Sequence, residues 1–392
     1  MSTKLYSAFI KTLKRELKRM GSRPIYFLGT VGVMLFCYVF FLTLMKEGQP
    51  VRMPVGIVDL DNSSLSRQFV RNLDATQQAD IVMYPNSYTD ARREMQKGNI
   101  YAFVVIKDNF EAEVLASQRP ELTFYVNDAY LVAGSLLLKD ITYMSELTAG
   151  AMKQKVLKAK GVEDSRIMGI IQPISLDTHL IGNPWANYGV YLLNILLPGV
   201  LQIMVLLLTV FAIGVELKEK TSRLWMRTAN NSMFVALMGK LMPYTIIFTA
   251  LGIVGNILLY WYMGYPMNSS IGWMFLTTFF YVMAYQSMGI LLIGITPVLR
   301  DGVTLAAFFG LLGFTFAGFT FPIEQMPYVT QVFSHLFPIR YYFKIYVNQA
   351  LNGLSIGYSV DYLIALLVFT ISPLFVYIRL KKAAIYQNFP TK

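Results

Sequence analysis

Long apolar runs alternate with short polar segments along the chain, and one long stretch of mixed composition interrupts them. The core of a bilayer is crossed by about 20 apolar helical residues. Six runs meet that length, at 24–46, 188–214, 233–263, 271–297, 302–321 and 361–380. The pattern therefore predicts an α-helical polytopic membrane protein with six transmembrane helices. The fifth run is the least regular, because it is rich in Gly and Phe and continues into an apolar loop.

The first run also has one feature of a secretory signal peptide, because a basic segment precedes it. It is longer than the apolar part of such peptides, and the following TLMKEGQP (43–50) contains no small-x-small cleavage site. We therefore interpret residues 24–46 as a retained membrane anchor.

Residues 47–187 have lower hydropathy, and their pattern changes between period two and period 3.6. Short runs typical of strands alternate with segments of helical periodicity, which predicts an α/β domain with a largely parallel sheet. The strand-like runs are VGIVDL (55–60), DIVMYP (80–85), YAFVVI (101–106), ELTFYVN (121–127) and the later ISLDTHLI (174–181). Residues 129–161 contain no Pro and predict one long helix.

Residues 1–23 predict a basic amphipathic helix. The apolar positions recur at spacings of three or four, at Leu5, Phe9, Leu13, Leu17 and Met20, and the other faces carry mostly Lys and Arg. A helix of this kind before a span lies in the plane of the membrane surface. The alternative is a plain basic flank that only sets topology.

Basic residues in short flanks mark the cytoplasmic side of a membrane protein. They are concentrated in residues 1–23, 215–232 and the tail 381–392. Both termini and the segment 215–232 are therefore predicted to be cytoplasmic, with the 47–187 domain outside. The net charge of +11 fits topology and lipid contact better than nucleic-acid binding, since no basic soluble module is present.

Residues 322–360 are too apolar for a free loop and too often interrupted by Pro for a span. We expect them to enter the membrane partway from outside and return, which requires cover for the backbone from the rest of the protein.

The charged segment, GVELKEKTSRLWMRTANN (214–231), lies between two apolar runs. Its helical stripe predicts a short surface helix, and it is formed by Leu217, Thr221, Leu224, Trp225 and Thr228. Glu219 and Arg223 have the spacing of an i,i+4 ion pair. Trp225 suits the membrane interface, where its N–H can meet water or a headgroup. The periodicity alone does not show that another protein docks there.

Motifs for catalysis and nucleotide binding are missing from the sequence. GKLMP (239–243) lacks the upstream Gly and the following hydroxyl of a P-loop, so ATP hydrolysis would need a separate chain. Asp59, Asp61 and Asn62 allow a metal site, but they fit a turn and helix cap better. His179 and His335 fall in no metalloprotease pattern. We expect no enzyme, metal or cofactor in this chain; an intramembrane enzyme is the weakest alternative.

Polar side chains inside the predicted spans are candidates for the lining of a transport path. They are Asn194, Gln202, Asn256 and Gln286. Hydrogen bonding between helices is the alternative for each of them. The spans are rich in Phe, Tyr and Met, which suits an amphipathic drug or lipid and also ordinary packing.

In the order of its segments, the chain resembles the permease subunit of ABC-2 type (type V) ABC transporters, in the subfamily with a large extracytoplasmic insert after the first span. The resemblance rests on GIVDLDNSSLSRQFV, GNIYAFVVIKDNFEAEV, VELKEKTSRLW, Gly239-Lys240 with Pro243, and FAGFTFPIEQMP with LFPIRYYFK. These stretches cover nearly the whole chain. The chain departs from the family at Lys220, where many members have Gly, and at Asn230-Asn231, where many have Pro.

The resemblance implies an exporter of a bacterial inner membrane. Two permease halves pair and bind two cytoplasmic ATPase subunits, which use ATP and Mg²⁺, and the N-terminal surface helix also touches the ATPase. The first cytoplasmic loop, residues 215–232, becomes the coupling helix that contacts the ATPase. The contact residues that it implies are Glu216, Lys218, Glu219, Thr221, Arg223 and Leu224.

Four questions stay open at this point. The outside domain could instead make the chain a membrane-anchored receptor or scaffold. It could also dock a periplasmic adaptor that extends export past a second membrane. The sequence does not identify the substrate, and it does not show whether the second permease half is a copy of this chain or a paralogue.

Overall fold

The computed structural model describes residues 3–387 apart from 117, 119, 175 and 176. The chain divides into two compact units. Residues 1–48 and 179–392 form the helical unit, and residues 49–178 form the α/β unit.

The chain begins with two helices in the helical unit, α1 (Thr3–Ser22) and α2 (Pro24–Leu44). Arg23 between them has an extended backbone, and Pro24 at the first helical position starts α2 without losing a hydrogen bond. The buried face of α1 consists of Ala8, Thr12 and Glu16, whereas Leu17 of the predicted apolar stripe is 50% exposed. The face of α1 that packs is therefore more polar than periodicity predicted.

The α/β unit follows in the predicted alternation. Its elements are β1 (Met53–Asp59), α3 (Ser64–Asp74), β2 (Ala79–Met83), α4 (Tyr88–Gln96), β3 (Ala102–Ile106), α5 (Phe110–Leu115) and β4 (Leu122–Val126). The strand order is β2-β1-β3-β4. β1 pairs in parallel with β2 and with β3, and β4 is antiparallel to β3. Ser63 and Ser87 cap α3 and α4 through their hydroxyls, which fixes where each helix begins.

A long helix closes the α/β unit, as the Pro-free stretch predicted. α6 (Leu131–Ala159) covers the sheet with Leu137 and Ile141, and then pairs with α7 (Asp164–Ile171). At 1.5 Å per residue it is roughly 44 Å long. The predicted strand ISLDTHLI (174–181) forms no strand in its described residues; Ser175 and Leu176 lie outside them.

The rest of the helical unit contains eight helices among the residues described. They are α8 (Tyr188–Lys218), α9 (Ser222–Thr228), α10 (Met233–Tyr262), α11 (Ile271–Ile295), α12 (Leu299–Thr315), α13 (Tyr328–Ser334), α14 (Pro338–Tyr346) and α15 (Ile356–Tyr386). α8 is the central helix, packed against α10, α11 and α12. α15 contains short 3-10 segments at Ile356–Ser359 and Ser372–Val376.

Five helices are long and apolar enough to cross a membrane, counted over the part of the chain that is described. They are α2, α8, α10, α11 and α15. The predicted span 302–321 corresponds to α12, which has only 17 residues and ends at Thr315, before a turn in which Gly318 has a φ of +86°. A positive φ at Gly318 cannot continue a right-handed helix, which is why this helix is shorter than its apolar run.

The Pro-rich stretch 322–360 folds onto the helical unit in short pieces. A 3-10 turn at Ile323–Gln325 leads into α13 and α14, and a π-helical turn follows at Val347–Leu351. The buried side chains Ile339 and Tyr342 lie in the part of α14 that packs against α11, where the Ile339 N–H donates to the Tyr285 hydroxyl at 3.2 Å. The buried ring of Phe337, just before α14, stacks on Phe309 of α12. Protein cover is therefore found along α14, whereas Tyr328 and Val329 of α13 are 78% and 79% exposed. The predicted partial entry of the whole stretch into the membrane stays a prediction.

Candidate functional site

The charged segment is a helix end, a tight turn and a short helix. α8 runs through Gly214 to Lys218, and Lys220 then takes a left-handed φ of +58° before α9 begins. Asn230 and Asn231 are also left-handed, at +54° and +56°, and Ser232 caps α10. Gly adopts such a conformation freely and Pro cannot. These angles therefore fit Gly at position 220 and exclude Pro at 230 and 231.

Glu216 lies at the centre of a buried ion-pair cluster. Arg15 donates to both carboxylate oxygens, at 2.7 and 2.8 Å, and Arg19 donates at 2.6 Å. Lys240 Nζ lies 3.0 Å from Oε1, and the Thr221 hydroxyl donates to Oε2 at 2.5 Å. Because Glu216 is fully buried, these five donors replace the water that its charge would otherwise need.

Lys240 is the second fully buried charge of the cluster. Its Nζ lies 2.5 Å from Glu16 Oε2, and the other oxygen of Glu16 accepts from the Tyr244 hydroxyl at 2.8 Å. Nζ is also 5.4 Å from the centroid of the Trp225 ring, a cation–π distance. The Trp225 indole N–H donates to the Ala236 carbonyl at 3.2 Å. The cluster thus joins α1, α8, α9 and α10.

Glu219 forms the outer, partly exposed part of the cluster. Arg19 and Arg23 each donate to one of its oxygens at 2.6 Å. The hydrogen bond from Arg23 lowers the pKa of the Glu219 carboxyl below its usual value. The predicted i,i+4 pair of Glu219 with Arg223 is wrong, because the left-handed Lys220 interrupts the helix between them.

Arg223 instead binds the end of the last helix. Its guanidinium donates to the carbonyls of Ile385 and Tyr386 at 2.8 and 3.3 Å, and the Ser222 hydroxyl donates to the Ala384 carbonyl at 2.8 Å. A cation at these unpaired carbonyls stabilises a helix C-terminus. α9 is therefore fixed on both sides, by α10 and by the end of α15.

The six predicted contact residues fall into two groups. Lys218, Arg223 and Leu224 are exposed, and Glu219 is partly exposed. Glu216 is fully buried, and Thr221 is half-buried with its hydroxyl on Glu216. Trp225 is also fully buried, which corrects the expectation that it lies at the membrane interface. Its ring fills the space between α9 and α10 and covers Lys240.

Sequence reasoning missed Arg15, Arg19, Glu16 and Lys240. Two signals could have indicated them. Glu16 is the single acid in a basic helix, and Lys240 is the single charge in a long apolar run. A charge in such a context needs a partner, since burying it alone is costly.

The four polar residues predicted inside the spans are all buried and hydrogen-bonded at both ends of the amide. Asn194 donates to the Val190 carbonyl and accepts from Tyr260 at 3.1 Å. Asn256 donates to Thr278 at 2.9 Å and accepts from Tyr342 at 3.3 Å. Gln202 and Gln286 are engaged in the same way, Gln286 with Thr245 and the Leu241 carbonyl. In this conformation they connect helices, which is the alternative that the sequence left open.

The carboxylates of Asp59 and Asp61, which the sequence offered as a possible metal site, accept hydrogen bonds from nearby backbone and hydroxyl groups. Asp59 accepts from the backbone N–H groups of Asp61 and Asn62 at 3.1 and 3.0 Å, and from the Ser66 hydroxyl at 2.7 Å. The Asp61 carboxylate accepts from the Glu111 N–H at 3.1 Å. These residues form a turn and a helix start, as the second interpretation held.

The apolar helices and the buried ion-pair cluster define a multi-pass membrane protein whose best-organised polar site lies at one end of a helical bundle. Residues 25–377 match the ABC-2 family transporter protein family, and the chain belongs to that family. It is therefore the permease component of an ABC transporter, and this membership implies an ATPase partner. No curated protein shows significant similarity to the sequence.

Proposed function

We propose that the chain is one permease half of an ATP-driven exporter, and that α9 is the coupling helix on which a separate ATPase subunit acts. Leu224 carries the proposal. It is 59% exposed on a short helix whose opposite side, through Trp225 and Met226, is buried in the bundle. An apolar side chain presented outward from a firmly held helix suits a socket on another protein.

The geometry around α9 supports a mechanical role. Thr221 binds Glu216 at the end of α8, and Trp225 binds the Ala236 carbonyl on α10. Through Glu216 and Lys240 the same contacts reach α1. A displacement of α9 by the ATPase would therefore move three helices together. In this proposal Glu216 and Thr221 position α9, and the exposed Lys218, Glu219, Arg223 and Leu224 meet the partner.

The arrangement of the ends supports six spans with both termini in the cytoplasm. α12, at 17 residues, reaches the lower limit for a span, which is about 17. α1 and the end of α15 both contact the charged segment. At the other end of α8, the Tyr188 N–H donates to the Gly48 carbonyl at 2.6 Å. The two points of the helical unit between which residues 49–178 are inserted thus lie at the end of α8 away from the charged segment, and in this proposal that end faces the outer side of a bacterial inner membrane.

The substrate in this proposal is drug-like, lipid-like or otherwise amphipathic. The buried charges Glu16, Glu216 and Lys240 pair with one another, so they offer no ionic site to a charged substrate. A second permease half, identical or paralogous, completes the path. ATP and Mg²⁺ belong to the ATPase, and an adaptor could meet the outside domain.

The test is co-purification with the ATPase encoded beside this chain, followed by ATP-dependent uptake of an amphipathic dye into inside-out vesicles. The wild-type permease should stimulate ATP hydrolysis by the ATPase subunit, and Leu224→Asp should abolish this stimulation. Leu60→Asp, which changes a leucine that is 50% exposed in the α/β unit, should leave it unchanged. Failure of the wild-type chain to bind the ATPase would refute the proposal.

A receptor function is the second candidate, and one cleft favours it. A cleft of about 670 Å³ lies at the carboxyl ends of β1 and β2, between Arg67, Arg71 and Tyr84. Ligands of open α/β sheets bind outside the carboxyl ends of the strands near the switch point, which in this strand order lies beside β1, and the end of β1 lines this cleft. If the chain is a receptor, the full chain should bind a ligand tightly without changing the rate of ATP hydrolysis by the ATPase subunit. An exporter permease should change that rate, so this measurement distinguishes the two functions.

A further inference from the structure

At the end of the helical unit formed by α1 and the charged segment, acidic side chains are mostly ion-paired and basic side chains are mostly exposed. The acids Glu16 and Glu216 are buried in ion pairs, and Glu219 is shared by Arg19 and Arg23. Several cations are exposed and have no ion pair within the part of the chain that is described. They are Lys4, Lys11, Lys14, Lys18, Lys218, Lys220 and Arg227. The surface left to a partner is therefore mostly cationic, since the exposed acid Asp301 is ion-paired with Arg300.

The N-terminal helix shows the same sorting along its length. Lys4, Lys11 and Lys18 are seven residues apart, two helical turns, so they share one flank of α1. That flank adjoins the side on which Arg15 and Arg19 reach Glu216. The lysine flank of α1 and the charged segment therefore form one continuous surface.

The apolar flank of α1 points elsewhere. Tyr6 and Leu17 are 61% and 50% exposed, and their spacing places them roughly 130° around the helix from the lysine flank. An interfacial helix turns its apolar flank towards the bilayer, so the lysine flank faces away from it. The lysines are thus accessible to a protein in the cytoplasm.

Leu224 lies within this cationic surface. Arg227 follows it by one turn of α9, and Lys220 precedes α9 at the left-handed turn. We call Lys218, Lys220, Leu224 and Arg227, with the lysine flank of α1, the cationic face. It combines one apolar anchor with a rim of unpaired positive charge, which complements an apolar pocket rimmed by carboxylates.

We propose that the cationic face recognises the ATPase subunit through an acidic groove with an apolar socket for Leu224. This rests on the proposed function and adds the chemistry of recognition. Long-range attraction between the two surfaces would steer the encounter, and Leu224 would fix the register. The steering follows from the unlike charges of the two surfaces and weakens with salt, whereas the contact of Leu224 is apolar.

The test measures binding of the full chain in detergent to the purified ATPase subunit at two salt concentrations. The Debye length falls from ~10 Å at about 0.1 M salt to ~3 Å at about 1 M, so affinity should fall steeply between them. A triple variant, Lys218→Gln, Lys220→Gln and Arg227→Gln, should bind at least about tenfold more weakly at low salt and lose most of the salt dependence.

A matched triple variant controls for the loss of charge alone. Lys139→Gln, Lys153→Gln and Lys155→Gln remove three exposed cations from α6 in the α/β unit and should leave ATPase binding unchanged. Tight wild-type binding that ignores both salt and the first triple variant would overturn this inference and leave the exporter proposal standing. The inference would also be overturned if the first triple variant bound the ATPase as tightly as the wild type but inserted more weakly into vesicles of anionic lipid. An absence of wild-type binding would refute the exporter proposal itself.

Discussion

Glu216 and Lys240 are ion-paired at 3.0 Å with both side chains fully buried, although they come from the end of one long helix and the beginning of another. Two charges inside a helical bundle lose their hydration, and this loss is offset only if every donor and acceptor is satisfied. Here Arg15, Arg19 and Thr221 complete the shell of Glu216, and Glu16 completes that of Lys240. The pair thus belongs to a network whose members depend on one another.

Removing the charge of Glu216 should destabilise the fold strongly. In Glu216→Gln, the cations Arg15, Arg19 and Lys240 lose a shared acid, and breaking a buried pair in this way costs about 3–5 kcal/mol. Glu219→Gln is the matched control, because Glu219 is partly exposed and such pairs contribute up to about 1 kcal/mol. Thermal unfolding in detergent should show a much larger fall in unfolding temperature for Glu216→Gln than for Glu219→Gln. Equal shifts for the two variants would contradict the central role of Glu216.

Glu16 and Lys240 should be energetically coupled. In a double-mutant cycle of Glu16→Gln and Lys240→Met, the double variant should be less destabilised than the sum of the singles, by about 0.5–3 kcal/mol. The reason is that each single variant leaves the other buried charge with a weaker shell. The control cycle pairs Lys240→Met with Lys18→Gln, an exposed lysine outside the cluster, and should be additive. Additivity in both cycles would mean that the short contact between Glu16 and Lys240 stabilises nothing.

Local pattern predicted the elements of this protein better than its site. The alternation of strand-like runs with helical segments predicted the positions of the four strands of the sheet. The absence of Pro in 129–161 predicted α6 within two residues at each end. Such signals are local because backbone hydrogen bonding and the apolar period repeat every few residues. The length of α12 was overestimated, since an apolar run does not reveal the left-handed Gly318 that follows it.

The cluster could not be predicted because its contacts are remote in sequence. Arg15 and Glu216 are 201 residues apart, and nothing in the helical period distinguishes the arginines of α1, which turn inward, from the lysines, which turn outward. Trp225 was assigned to an interface on residue type alone, and tertiary packing buried it instead. The i,i+4 pair of Glu219 and Arg223 failed because an unbroken helix was assumed across Lys220.

Position 220 should accept Gly without loss of stability. A left-handed φ costs an L-residue roughly 1–2 kcal/mol, while Gly adds about 0.5–1 kcal/mol of backbone entropy to the unfolded chain. Lys220→Gly should therefore leave the unfolding temperature unchanged or raise it slightly. Lys220→Val should lower it, because a β-branched residue is poorly tolerated at φ +58°. A fall in unfolding temperature for Gly as large as that for Val would show that the Lys220 side chain, rather than its backbone, stabilises the turn.

Gln202 should act in packing rather than in substrate contact. Its amide donates to the Gly310 carbonyl at 2.9 Å and accepts from Tyr281 at 3.2 Å, so it bridges α8 to α12 and α11. A Cβ at Gly313 would lie 2.9 Å from its Nε2, which shows how closely α12 approaches α8 at this point.

Gln202→Leu leaves both partners without their bond and should lower the free energy of unfolding by about 1–3 kcal/mol. Gln154→Leu, on the exposed side of α6, should change it by less than about 0.5 kcal/mol. Unfolding in detergent and dye transport in vesicles, measured on the same variants, separate the two roles of Gln202. If Gln202→Leu unfolds like the wild type but changes which dyes are transported, then Gln202 lines the path, and its hydrogen bonds to Gly310 and Tyr281 belong to only one state of the transport cycle.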